Sequence, residues 1–103
     1  MREPQILLAS FCQGVCHPTV SGFEVLELLD VRSALARQEG KLGEEAKRKL
    51  EEADSLFLQN ARQFYEAVTR VADLAAMRRR AAVPPSHWWW YLDKLVRAER
   101  AAM

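Results

Sequence analysis

The 103-residue sequence has few of the residues that mark tight turns, disulfides or membrane spans. It contains four glycines, four prolines and two cysteines, and its formal net charge is only +1. So few glycines and prolines argue against an all-β fold with many turns, and two cysteines are too few for a disulfide framework. No apolar run approaches the roughly 20 residues that a membrane span needs. The chain is also too short for a Rossmann domain or a TIM barrel.

The composition is that of an ordinary soluble domain. Hydrophobic residues make up 50% of the chain and charged residues 28%, which is unlike a disordered segment. One domain, residues 1–103, is expected at this length. The apolar stretch at residues 6–9 is short and no small-residue cleavage site follows it, so it is a poor signal peptide. We therefore expect a cytoplasmic protein with reduced thiols and no membrane association.

Hydrophobic periodicity predicts an all-α fold. The expected helices lie at about residues 4–17, 21–39, 44–82 and 86–102. Pro4 suits a first helical position, and the first helix ends at His17 because the residue before a proline avoids the α conformation. A strand over residues 5–12 is the alternative for this segment.

Local signals predict where the second and fourth helices begin and end. Ser21 and Glu24 form a capping box at the start of the second helix, whose wide apolar surface includes Phe23. Gly40 suits the position just after the end of a helix. Ser86 is the expected N-cap of the fourth helix.

Residues 44–82 contain no glycine or proline, and their apolar residues recur every seven positions, as in a coiled coil. A helix of this length spans about 58 Å, which exceeds the roughly 33 Å diameter of a globular domain of this size. We therefore expect antiparallel helical hairpins built on one long central helix, with the bundle completed by dimerisation. The residues expected at the interface or core are Leu50, Phe57, Phe64, Val71 and Leu74.

Asn60 occupies a seam position of this predicted long helix. A polar seam residue can fix the register and oligomeric state of a coiled coil. The alternative is that Asn60 faces solvent where the seam drifts around the helix.

One candidate metal or haem site lies near the start of the chain. Cys12 and Cys16 are one helical turn apart, which suits two ligands on one face, and His17 follows directly. Tetrahedral zinc needs four ligands, and the spacing differs from both the zinc C-x2-C and the haem C-x-x-C-H patterns. The alternative is that Cys12 is a small core residue. We expect no cofactor.

The C-terminal quarter is basic and aromatic. Residues 76–103 carry six basic and two acidic side chains. Cations beside aromatic rings are typical of sites that bind single-stranded nucleic acid, and the basic candidates are Arg78, Arg79, Arg80, Lys94, Arg97 and Arg100. The alternative is that the arginines offset a helix dipole and that the aromatic residues anchor the last helix or contact a partner. Those aromatic residues are Trp88, Trp89, Trp90 and Tyr91.

Catalytic motifs are weak in this sequence. No glycine-rich phosphate loop is present, and no third group orients the cysteine and histidine pair for nucleophilic attack. The leading hypothesis is therefore a small, non-enzymatic helical interaction protein that acts as a homodimer and contacts a further protein partner. Nucleic-acid binding and metal or haem binding are the alternatives.

Overall fold

The computed structural model describes the backbone of residues 3–102 and the side chains of residues 3–98. This part of the chain is helical and contains no strand, so the all-α prediction is confirmed. The helices are α1 (Pro4–Val15), α2 (Gly22–Ala36), α3 (Glu44–Gln59), α4 (Ala61–Thr69), α5 (Leu74–Ala81) and α6 (Leu92–Ala102). Two short 3-10 helices lie at Glu39–Lys41 and Trp88–Trp90. None of the described helices has both the length and the apolar character needed to cross a bilayer.

The first two helices begin where the sequence predicts. Pro4 is the first residue of α1, so the helical interpretation of this segment is confirmed and the strand is excluded. The Ser21 hydroxyl accepts a hydrogen bond from the Glu24 backbone N–H at 3.2 Å and caps α2. The predicted end at Gly40 is wrong, because α2 ends at Ala36 and Gly40 lies inside the first 3-10 helix.

The single helix predicted over residues 44–82 is also wrong, because the chain leaves the helix at Asn60 and at residues 70–73. At the first break, Asn60 donates a side-chain hydrogen bond to the Val15 carbonyl at 3.0 Å. At the second break, the Asp73 carboxylate accepts from the Ala76 backbone N–H at 3.1 Å and begins α5. Asn and Asp side chains can hydrogen-bond to backbone groups in non-helical conformations, which weakens their preference for the interior of a helix. Here each of them makes such a bond at a break. Asn60 therefore holds the end of α1, which neither interpretation of its seam position anticipated.

These breaks let the chain enclose its own core. The molecule measures 35 × 31 × 24 Å, with a radius of gyration of 13.3 Å. Phe11, Phe57 and Phe64 stack in a column between α1, α3 and α4, with ring centroids 6.2 and 5.3 Å apart. Within residues 3–102 no helix approaches 58 Å, so the length of the helices gives no reason for a second copy to complete the bundle.

The C-terminal segment differs from the predicted helix over residues 86–102. Ser86 does not cap a helix, because the three tryptophans form a 3-10 helix and α6 begins only at Leu92. We call Trp88–Trp90 the tryptophan turn. Adjacent residues of an α-helix point about 100° apart, so a continuous α-helix would not bring Trp89 and Trp90 to the single α2 residue that they both contact, as described below.

The end of α5 has an unusual backbone conformation at Ala82. Ala82 has φ 50° and ψ 47°, the only positive φ among the described residues. Its N–H donates to the Arg79 carbonyl, and the Val83 N–H donates to the Arg78 carbonyl at 3.1 Å. This Schellman motif normally carries glycine at the left-handed position.

We expect Ala82→Gly to stabilise the protein by about 0.5 kcal/mol, because relief of the left-handed strain exceeds the added entropy of the unfolded chain. The matched control is Ala81→Gly, in the last helical position, which should destabilise by about 0.5 kcal/mol. Urea unfolding of both variants measures the difference. Two shifts of the same sign would contradict this account of Ala82.

Candidate functional site

Two adjacent polar residues of α2, Arg32 and Ser33, lie in the core at 4% exposure each. They occupy the stripe of α2 that otherwise carries buried apolar side chains such as Val25, Leu29 and Leu35. Buried polar groups need hydrogen-bond partners, and both residues find theirs in distant parts of the chain. This polar centre determines how the C-terminal segment packs on α2.

Arg32 joins three parts of the fold. Its Nε and Nη2 donate to the two carboxylate oxygens of Asp54 on α3 at 2.9 and 3.0 Å, and its Nη1 donates to Glu39 at 3.2 Å. The guanidinium carbon lies 4.2 Å from the centroid of the Trp89 ring. A bidentate carboxylate and an aromatic face together suit a guanidinium group better than an ammonium group.

The Ser33 hydroxyl is the meeting point of three side chains. The indole N–H groups of Trp89 and Trp90 donate to its oxygen, each at 2.9 Å, and Nδ1 of His87 lies 3.0 Å away. A hydroxyl has one hydrogen and two lone pairs. Because the indoles occupy the lone pairs, the hydroxyl hydrogen must point to Nδ1. This count of donors and acceptors assigns to His87 the neutral tautomer that carries its hydrogen on Nε2.

The surroundings of His87 favour this neutral form. Burial lowers the pKa of His87, the cationic Arg37 and Arg32 lower it further, and Glu39 opposes them. The ring also stacks on Trp89, with centroids 4.7 Å apart. His87 thus belongs to the same packed unit as the tryptophan turn.

The aromatic residues predicted to contact a partner are mostly internal. Trp89 and Trp90 are buried, and Trp88 is half-buried with its ring edge-on to Phe57 at 5.7 Å. Tyr91 is half-buried beneath the guanidinium of Arg78, which lies 4.4 Å from its ring centroid. These rings anchor the C-terminal segment and offer no open stacking platform.

The predicted basic set is divided between structural and exposed residues. Arg78 donates to both carboxylate oxygens of Asp93, at 2.6 and 3.1 Å, and to the Trp90 carbonyl at 2.9 Å. The hydrogen bond from Arg78 holds the pKa of Asp93 below its usual range. Four others, Arg79, Arg80, Lys94 and Arg97, are exposed. The side chain of Arg100 lies outside the described residues.

The predicted thiol and histidine ligands do not converge on a metal site. Cys12 is half-buried, whereas Cys16 and His17 are exposed. Within residues 3–98, no group of three or more His, Cys, Asp or Glu side chains is arranged to hold a metal ion. Burial raises the pKa of the Cys12 thiol, and the neighbouring Cys16 raises it further. Both effects disfavour the thiolate that binds metals.

Four of the five residues predicted for the interface or core lie in the core of the single chain: Leu50, Phe57, Phe64 and Leu74. Val71 is different, because it falls between α4 and α5 and is 38% exposed. The seven-residue spacing therefore marks burial at Leu50, Phe57 and Phe64, although the helix break at Asn60 separates Phe64 from the other two.

An exposed apolar region lies where α2 begins, across a groove from α5. Phe23 is 68% exposed. Val71 packs on Gly22, where an added Cβ would lie 2.5 Å from a Val71 methyl group, and so reaches the α2 end that carries Phe23. Val71 also lines an open groove of about 690 Å³, whose apolar lining includes Leu26, Ala72 and Met77. Phe23 precedes Leu26 by three residues on α2 and so neighbours it on the helix surface. We call this region the Phe23 surface, and its members are Phe23, Leu26, Val71, Ala72 and Met77.

Charges of opposite sign flank the Phe23 surface. Glu27 and Asp30 follow Phe23 by four and seven residues, so these exposed carboxylates share its face of α2. On the other side, Arg80 and the exposed carboxylate Asp73 both line the groove. The apolar region thus has an acidic flank on α2, whereas its α5 flank carries one cation and one carboxylate.

Sequence reasoning missed the polar centre, although a signal for it exists. Arg32 follows Leu28 by four residues and Leu29 by three, so it falls on the apolar stripe of α2. A charged residue at such a position needs a buried partner. The sequence does not identify that partner as Asp54, because the pairing depends on where the tertiary fold places α3 relative to Arg32.

We expect Asp54→Asn to destabilise the protein by about 3 kcal/mol, because it removes the charge that compensates the buried guanidinium. The matched control is Glu39→Gln, which removes a carboxylate that is 47% exposed and should change stability by at most about 1 kcal/mol. Thermal or urea unfolding measures both. Equal effects of the two changes would show that Asp54 is not the main partner of Arg32.

Comparisons with known proteins assign no family to this arrangement. No family model, no curated protein and no solved structure matches the chain. Its function is therefore inferred from the polar centre and the exposed surfaces.

Proposed function

We propose that this chain is a small, non-enzymatic helical interaction protein that forms a homodimer through the Phe23 surface. The observation that carries this proposal is the exposure of Phe23. The other three phenylalanines of the chain are fully buried, whereas Phe23 projects beside an apolar groove. A large exposed aromatic side chain next to further apolar surface is typical of a binding site for another protein.

Charge complementarity favours a second copy of this chain as the partner. A two-fold rotation about the Phe23 surface can place the acidic flank of one protomer, Glu27 and Asp30, against Arg80 of the other. Interfaces of this kind are isologous, since the same patch serves both subunits. Opposite charges around an apolar centre also select the correct orientation during association.

The polar centre supports the non-enzymatic part of the proposal. Ser33 and His87 form a serine–histidine pair, but the Ser33 hydroxyl is buried and engaged with three side chains. A nucleophile must reach its substrate and transfer its hydrogen to the base. Here the hydroxyl stabilises the packing of the tryptophan turn.

Nucleic-acid binding receives less support from the geometry. Arg78 is committed to Asp93, and the rings of Trp89 and Trp90 are buried. Base stacking needs accessible aromatic faces. Of the exposed arginines, Arg80 lines the groove of the Phe23 surface and is therefore assigned to the dimer interface.

We expect the wild-type protein to have twice the monomer mass of 11.8 kDa at micromolar concentration, as measured by light scattering. Phe23→Ser should weaken association roughly 30-fold or more, because a central aromatic anchor typically contributes about 2 kcal/mol. The matched control is Leu58→Ser, at a 48% exposed position on α3, which should leave the mass unchanged. An 11.8 kDa wild-type species at this concentration would refute the homodimer.

A further inference from the structure

The hydrogen bonds around Ser33 leave no place for a second hydrogen on His87. Both lone pairs of the Ser33 hydroxyl accept indole N–H groups, and its hydrogen points to Nδ1 of His87. Protonation of His87 puts a hydrogen on Nδ1, so two donors then face each other across 3.0 Å. The contact can be relieved only if His87 moves away or an indole bond breaks.

The charges that face His87 also oppose its protonation. Arg32 of α2 and Arg37, the residue directly after α2, are cationic, and Glu39 in the first 3-10 helix is the acidic group on this side. Glu39 also accepts a hydrogen bond from Arg32, whose Nε and Nη2 donate to Asp54 of α3. A charged imidazole would therefore sit beside two guanidinium groups, and the one facing carboxylate, Glu39, is already hydrogen-bonded to Arg32. Together with burial, this holds the pKa of His87 below its ordinary value of about 6.5.

The tryptophan turn also helps to hold α5 in place. Leu74 is the only buried residue in α5, so this helix depends on few contacts. One of them is the hydrogen bond from Arg78 to the carbonyl of Trp90, and another is the ion pair of Arg78 with Asp93 just beyond the turn. Movement of the tryptophan turn away from α2 would shift the Trp90 carbonyl and so loosen α5, which carries the Met77 and Arg80 wall of the groove.

We propose that His87 is a proton-sensitive latch: its protonation releases the tryptophan turn from Ser33 and loosens the α5 wall of the Phe23 surface. The latch itself is independent of the function proposed above, whereas its effect on association rests on that function. The switch is operated by a proton bound to His87, and the part of the fold that responds is the C-terminal segment. Mild acid should therefore open the groove and weaken the dimer.

The direction of the pH effect follows from the lowered pKa. The folded state holds His87 neutral, so its contribution to stability is fully present above the pKa of the unfolded chain, about 6.5. That contribution is lost as the pH falls through the lower pKa of the folded state. The Arg78–Asp93 ion pair stays charged over the pH range in which His87 titrates, because the pKa of Asp93 is held below its ordinary acidic range.

Tryptophan fluorescence tests the latch directly, because all three tryptophans of the chain lie in the tryptophan turn. Between about pH 7.5 and pH 5, we expect the wild-type emission to shift to the red, with a midpoint below 6.5, while far-ultraviolet circular dichroism keeps most of its helical signal. His87→Asn retains an acceptor oxygen near the position of Nδ1 but does not titrate, so it should abolish the shift. The matched control is His17→Asn, at the other histidine of the chain, which should keep the shift. A wild-type emission that does not change, or a transition that persists in His87→Asn, would overturn the proposal.

A measurement on the wild type covers the case in which His87→Asn does not fold. Nitrogen chemical shifts of the His87 ring report its tautomer and its titration. We expect His87 to carry its hydrogen on Nε2 at neutral pH and to titrate below the ordinary imidazole pKa of about 6.5. A hydrogen on Nδ1, or titration of His87 at or above its ordinary pKa, would contradict the donor count and overturn the latch.

Association measured over the same pH range separates this inference from the proposed function. A dimer that weakens about tenfold or more near pH 5 in the wild type, but not in His87→Asn, supports both. A monomer at every pH refutes the homodimer, and the fluorescence result still decides the latch. A dimer whose association is unchanged while the tryptophan emission shifts would refute the link through α5.

Discussion

A guanidinium group can be buried only if its hydrogen-bond donors find acceptors, because an unpaired charge in the core is strongly unfavourable. Arg32 meets this condition with Asp54 of α3 and Glu39 after α2, and the face of its guanidinium is covered by Trp89. The hydroxyl of the next residue, Ser33, is buried too and also needs hydrogen-bond partners, which the tryptophan turn provides. Two neighbouring positions of one helix thus specify where α3 and the C-terminal segment must lie.

This dependence divides the fold into a firm part and a looser part. The firm part includes the phenylalanine column between α1, α3 and α4 and the contacts of α2 with α1 and α4. The looser part is α5, which has one buried residue and is held largely through Arg78. Regions with few buried contacts open more readily than the core. The proposed interaction surface lies at the boundary of the two parts, so its shape responds to what holds α5.

The features that the sequence predicts correctly are those with local causes. The first helical position of Pro4, the cap at Ser21 and the burial of Leu50, Phe57 and Phe64 follow from short-range chemistry and periodicity. The break at Asn60 could not be predicted in this way, because its cause is a hydrogen bond to Val15, which is 45 residues away in the chain. Asp73 did carry a local N-cap signal, but it lies among strong helix formers that favour a continuous helix. The exposure of Phe23 likewise depends on tertiary packing, since Gly22 lies against the α4 backbone and turns the next residue outward.

The bonds from the two indoles to Ser33 span 56 and 57 residues of chain. During synthesis from the N-terminus, at roughly 5–20 residues per second, the residues of α2 are therefore made several seconds before the indoles. Until its partners are in place, the Ser33 hydroxyl can be satisfied only by water or by local backbone groups. The same hydroxyl that favours hydration in the unfinished chain becomes the meeting point of the core once the tryptophan turn has been made.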